Sequence, residues 1–87
     1  MLIIDPSIEA KIRAKGPPLT GDEVREVVVY SRDAQARWDE DEEHGPRLIV
    51  QGTTYAGRPV IAFCMPANPG DPEEGTFILK TALARED

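Results

Sequence analysis

The stretch Arg47-Leu48-Ile49-Val50-Gln51-Gly52-Thr53-Thr54-Tyr55-Ala56-Gly57-Arg58-Pro59-Val60-Ile61-Ala62-Phe63-Cys64-Met65 sets two short apolar, β-branched runs on either side of a polar segment containing glycine. Leu48 to Val50 and Val60 to Met65 read as strands and Thr53 to Gly57 as the turn between them, which together spell a β-hairpin. Pro59 has no amide to donate and belongs at a strand start or edge. Pro66 to Gly75 reads as a solvated loop rich in proline and glycine. Thr76 to Leu83 reads as a third strand with Phe77, Leu79, Thr81 and Leu83 on one face. Consecutive strands with short links pair antiparallel most simply.

Upstream of the hairpin the pattern is helical. Asp5 offers a carboxylate acceptor as an N-cap, Pro6 suits the first helical position, and Ile8, Ala10, Ile12 and Ala14 give a partly apolar face to about Lys15. Gly16-Pro17-Pro18 stops this helix, because neither proline can continue it. Thr20 and Glu23 have the spacing of a capping box, in which hydroxyl and carboxylate each satisfy a free amide. Val24, Val27 and Val28 then repeat at i, i+3 and i+4, while Asp22, Glu23, Arg25 and Glu26 point away. The run Val27-Val28-Val29-Tyr30 is also compatible with a strand, and helix is the preferred reading. Met1 to Ile4 is a brief strand or an extended lead-in. Ser31 to Pro46 reads as a long irregular segment with at most a helical turn over 33–37, and irregular stretches of that length are where function is first sought. The expectation is one α+β domain over residues 1–87, with two N-terminal helices packed on a three-stranded antiparallel sheet.

Composition narrows the function classes. With 87 residues, 40% hydrophobic and 30% charged, the chain is long enough for one folded domain and too short for two. No apolar run approaches the roughly 18 residues a membrane span needs, and the start lacks signal-peptide character, so a cytoplasmic setting is expected. Cys64 lies in an apolar run and reads as a small core residue. One cysteine and one histidine make a metal centre of soft ligands improbable. The net charge of −6 disfavours a general nucleic-acid binder. Much of it is concentrated in Asp39-Glu40-Asp41-Glu42-Glu43 and in Asp71, Glu73 and Glu74, which leaves room for a local basic site elsewhere.

The segment Asp41-Glu42-Glu43-His44-Gly45-Pro46-Arg47-Leu48-Ile49-Val50-Gln51-Gly52-Thr53, followed by Gly57-Arg58-Pro59-Val60-Ile61-Ala62-Phe63, resembles the centre of BrnT-type toxins of bacterial toxin-antitoxin pairs, which are similar to the RelE superfamily of small ribonucleases. Thr76 to Glu86 is similar to their third strand and tail. The resemblance implies a RelE-like fold, an antitoxin partner and metal-independent RNA cleavage without a cofactor, in which the 2′-hydroxyl attacks the phosphate while cations hold the developing charge. It implies a site drawn from Arg47 and Arg58 on the hairpin, Lys80 and Arg85 on the third strand and tail, and His44, whose titration range suits acid–base work. The chain departs from the family where a small residue is followed by Arg: here Ala82 precedes Leu83, so Lys80 or Arg85 must supply that cation. The family's long C-terminal extension is absent as well, and an inactive relative fits these departures.

Each candidate also has a plainer reading. His44 can be an exposed loop residue, Arg47 and Arg58 can be strand-end residues or partners of acids, and Trp38 can anchor the long segment. The acids 39–43 can simply be solvated. A rival of a different class treats the protein as a non-enzymatic binder in which Trp38, Asp39, Glu40, Asp41, Glu42 and Glu43 contact a basic partner or imitate nucleic acid. An exposed sheet edge and a small core also leave a homodimer open.

Overall fold

Both helices begin where their capping side chains place them. The computed structural model, which describes residues 1–43, 45–68, 70–71 and 74–85, shows Asp5 accepting a hydrogen bond from the Ser7 amide at 2.8 Å to start α1 (Pro6–Ala14). Thr20 and Glu23 close the full capping box ahead of α2 (Gly21–Arg25). The valine run after Arg25 does not become a strand: Glu26–Tyr30 continues as a turn of π-helix. Val24 and Val27 are fully buried, and Val28 packs partly against the same core.

The sheet is larger than the three antiparallel strands expected. β1 (Leu2–Ile3), β2 (Gln35–Asp41), β3 (Gly45–Thr53), β4 (Pro59–Pro66) and β5 (Phe77–Ala84) form a five-stranded mixed sheet in the order β1-β5-β4-β3-β2. The last four make an antiparallel meander, and β1 pairs parallel with β5 through Leu2 with Phe77 and Ile3 with Ile78. The brief N-terminal run is therefore a strand.

The other added strand corrects the reading of 31–46 as irregular. Gln35–Asp41 lies antiparallel on β3, with Trp38 opposite Leu48 and Asp39 opposite Arg47, so no helical turn forms over 33–37. Strand propensity is low here, yet cross-strand pairing overrides it, because an edge strand needs only one modestly apolar face. Ala34, Ala36 and Trp38 supply that face.

α1, α2 and the π-helical turn lie on one face of the sheet, where Ile12, Leu19, Val24 and Val27 meet Val50, Val60, Ala62, Cys64, Leu79 and Ala82. The hairpin runs as its sequence predicts, with Pro59 at the start of β4 and Gly57 at a φ of 86° that a side chain would strain. Gly52 is needed for closeness: a Cβ there would lie 3.2 Å from both the Ala34 backbone and Val27. In β5 the expected alternation breaks. The register slips at Lys80, since Phe63 faces Thr81 while Cys64 faces Leu79. Beyond this bulge Ala82 takes the core position, and Leu83 is turned outward, 44% exposed. Among the described residues no helix is long and apolar enough to cross a membrane.

Candidate functional site

Among the described residues no element covers the face of the sheet turned away from the helices. Following the register, it presents Gln35, Arg37 and Asp39 from β2, Arg47, Ile49, Gln51 and Thr53 from β3, Ile61, Phe63 and Met65 from β4, and Ile78, Thr81 and Leu83 from β5. Ile49 is only 3% exposed although no helix lies over it, because it sits between the cross-strand neighbours Arg37 and Phe63. This face has an apolar floor and a polar, largely cationic superstructure.

Arg47 stands over that floor. Its Nε donates to Asp39 Oδ2 at 2.7 Å, its second nitrogen lies 2.7 Å from the same oxygen, and its guanidinium carbon sits 5.6 Å from the Phe63 ring centroid. A guanidinium lying over an aromatic ring and paired with one part-exposed carboxylate can exchange that carboxylate for another planar or tetrahedral anion. Lys80 is exposed at the bulge, next to the position where Thr81 faces Phe63. Arg85 lies at the far end of the same face and donates to Gln51 Oε1 at 3.2 Å. That anchor lies four positions along β3 from Arg47, roughly 13 Å at the rise of a strand. A shallow recess of about 210 Å³ beside Arg85 is lined by Asp33, Gln35, Gln51 and Thr53. The Asp33 carboxyl is held below its ordinary value by hydrogen bonds from Ser31 and then Thr53.

Arg58 is placed elsewhere. It binds Glu23 Oε2 at 2.6 Å and the Pro18 carbonyl at 3.0 Å, fastening the β3–β4 turn to the capping box on the helical side. Burial by itself would raise the Glu23 carboxyl, but the Arg58 hydrogen bond, the Thr20 amide and the Arg58 charge outweigh it and hold the group below its usual range. The turn is further pinned by Thr54 and by the Tyr55 amide, which donates to Glu26 at 2.8 Å. Of the proposed site residues, then, Arg47 and Arg85 share the open side of the sheet, Lys80 stands exposed at the bulge beside it, and Arg58 lies on the helical side. His44 lies outside the described residues.

Two contributors to this face were not singled out in the sequence, Arg37 and Phe63. Arg37 was hidden by reading 31–46 as irregular. The signal that could have found it is the two-residue alternation of Ala34, Ala36 and Trp38 against Gln35, Arg37 and Asp39.

The acids fall differently. Asp39 and Asp41 belong to β2, which ends the sheet, and Glu42 and Glu43 follow in the turn. Trp38 is 51% exposed on the helical side of that edge strand, with its ring 6.1 Å from Phe77. Cys64 has no solvent exposure, and burial pushes its thiol up to about 12, which removes it as a nucleophile. Among the described residues no group of three or more His, Cys, Asp or Glu side chains could hold a metal ion. Set against known protein families, characterised proteins and solved structures, the chain matches none.

Proposed function

We propose that this chain is a BrnT-type relative of the RelE-like ribonucleases, acting in the cytoplasm and engaging RNA on the uncovered face of its sheet. The observation that carries the reading is the placement of cations. In a chain of net charge −6, Arg37, Arg47 and Arg85 rise from this one face and Lys80 stands at its margin, against the carboxylates of Asp39 and, at the rim, Asp33. Arg47 lies over the Phe63 ring, and a base can stack on this arginine and aromatic pair while Lys80 meets a flanking phosphate. The order that the resemblance implies, two helices and then three antiparallel strands, corresponds to α1, α2 and β3 to β5, to which this chain adds β1 and β2.

On this reading the 2′-hydroxyl of the bound strand loses its proton and attacks the adjacent phosphorus. The bond to the 5′-oxygen breaks, that oxygen takes up a proton, and the arginines hold the negative charge that accumulates between the two events. His44, the one imidazole of the sequence, is assigned the proton transfer.

The binder remains a second reading because both hairpin arginines already meet carboxylates and the acids line an open sheet edge. A single experiment separates the two. Single-stranded RNA is titrated with purified wild type and with an Arg37→Ala, Arg47→Ala, Arg85→Ala variant, and the RNA is then run on a gel. Binding weakened at least tenfold in the variant, with RNA cut by the wild type alone, supports the ribonuclease. RNA bound but never cut makes the chain an inactive relative. Folded wild type that neither binds nor cuts RNA sinks the proposal, and binding of a lysine-rich peptide lost on neutralising Asp39 to Glu43 would establish the rival.

A further inference from the structure

The two edges of the sheet are not equally protected. On one side β1 covers only Phe77 and Ile78, so the rest of β5 has an open outer edge. That edge is broken by the bulge at Lys80, and Lys15 reaches in from the end of α1 to donate to Thr81 Oγ1 at 2.6 Å. A bulge and an inserted lysine are devices that keep an edge from pairing. β2 has neither. It runs seven residues in unbroken register with β3, contains no proline, and among the described residues its outer side meets no further strand.

We propose that β2 pairs antiparallel with β2 of a second copy, centred on Trp38, so that the sheet continues across a two-fold axis. The charge order of the strand carries the choice of occupant. A two-fold axis perpendicular to the sheet keeps side chains of one face together, and opposite residues are then exchanged between copies. Centred on Trp38, Arg37 of each copy lies opposite Asp39 of the other, Glu40 lies opposite Ala36, and Asp41 lies opposite Gln35. The strand is complementary to its own reverse. Centring on Arg37 instead sets that guanidinium against its copy. Centring on Asp39 brings Arg37 opposite Asp41 but sets two Asp39 carboxylates face to face and lays Trp38 against Glu40.

The side chains are prepared for this pairing. Arg37 is exposed and has no ion-pair partner among the described residues. Asp39 already holds Arg47, so a second guanidinium from the neighbouring copy would make it the bridge of an Arg47, Asp39, Arg37 chain across the junction. On the opposite face Trp38 is half exposed, beside an apolar groove of about 320 Å³ lined by Val29, Ala34, Ala36, Leu48 and Phe77 among others. The two-fold brings the second Trp38 to the rim of that groove, where a paired aromatic adds more than its area. The proposal stands apart from the RNA reading and needs no nucleic acid, although it would join the two open faces into one surface.

The test uses the full chain, freed of nucleic acid, in sedimentation runs over a wide concentration series. Wild type is expected to dimerise. Arg37→Glu and Asp39→Arg each reverse two cross-strand pairs and are expected to weaken self-association roughly tenfold or more. Mixed together, the two variants recover dimer, because the new carboxylate at 37 meets the new guanidinium at 39. Trp38→Cys is expected to cross-link to its own copy under mild oxidation, whereas Tyr55→Cys, in the distant hairpin turn, does not, and buried Cys64 does not compete. Circular dichroism confirms that each variant is folded. A wild type that stays monomeric at every concentration overturns the proposal. So does a dimer indifferent to Arg37→Glu, or a mixture that fails to recover.

Discussion

Arg58 and Arg47 belong to the same hairpin, and each meets a carboxylate at short range, 2.6 Å to Glu23 and 2.7 Å to Asp39. Their surroundings separate them. The Arg58 and Glu23 side chains are each 24% exposed, the carboxylate also closes the α2 cap, and the guanidinium takes up the Pro18 carbonyl. The Arg47 and Asp39 side chains are 38% and 33% exposed and lie on a face that no element of the described residues covers. One pair is thus a fastening between turn and helix. The other is a cation held in place by a carboxylate that a phosphate could replace. What makes an ion pair structural here is how many other groups depend on it.

The largest effect should come from breaking the fastening. Arg58→Ala leaves a partly covered carboxylate without its cation and the Pro18 carbonyl without its donor. Hydrogen bonds to charged groups contribute about 1.5–3 kcal/mol each when half of the pair is removed, so a loss of about 2 kcal/mol is expected. In a domain of this size that lowers Tm by roughly 10 °C. A thermal melt measures it, with RNA affinity unchanged. A loss no greater than that of Arg47→Ala would erase the contrast between the two pairs.

A smaller effect belongs to pH. Glu23 has a folded-state pKa below the 4.5 of the free side chain, so its stabilisation is complete well above pH 4.5 and is lost as the pH falls through the folded value. Glu23→Gln should therefore melt below wild type at neutral pH, and the two curves should converge on acidification. If the Glu23→Gln difference persists undiminished at pH 2, the pair is not what stabilises the turn.

The hairpin and the two helix starts were legible because each depends on residues close in sequence: Asp5 and Thr20 at the caps, Gly57 and Pro59 around the turn, Leu48 to Val50 in the strand. β2 was not, since Asp39, Glu40 and Asp41 have poor strand propensity and the segment is a strand only through its partner β3. The bulge in β5 was equally hidden, being a property of the pairing between Phe63 and Thr81 rather than of either run. For the site, residue type pointed to Arg47, Lys80 and Arg85, but type could not separate them from Arg58. That distinction needs to know which face of the sheet the helices cover, and it is fixed by contacts such as Glu23 with Arg58 between residues far apart in the chain.

The smallest change in stability attaches to the second pair. An ion pair this exposed contributes about 0.2–1 kcal/mol, so Arg47→Ala should barely move the melt. Its signature is in binding: losing one phosphate contact lowers the salt dependence of RNA affinity by about 0.7 in the slope of log K against log salt for a single strand. The sharper variant is Asp39→Asn. If Asp39 only occupies Arg47 until a phosphate displaces it, neutralising it frees the guanidinium and removes the nearest repulsive charge, and RNA affinity should rise a few-fold at low salt. The matching change Glu23→Gln should leave affinity where it was, because the cation it releases lies on the side of the sheet that the helices occupy. An Asp39→Asn variant that binds RNA more weakly would mean that the carboxylate positions Arg47 rather than competing for it, and the two arginines would then differ in location but not in the nature of their restraint.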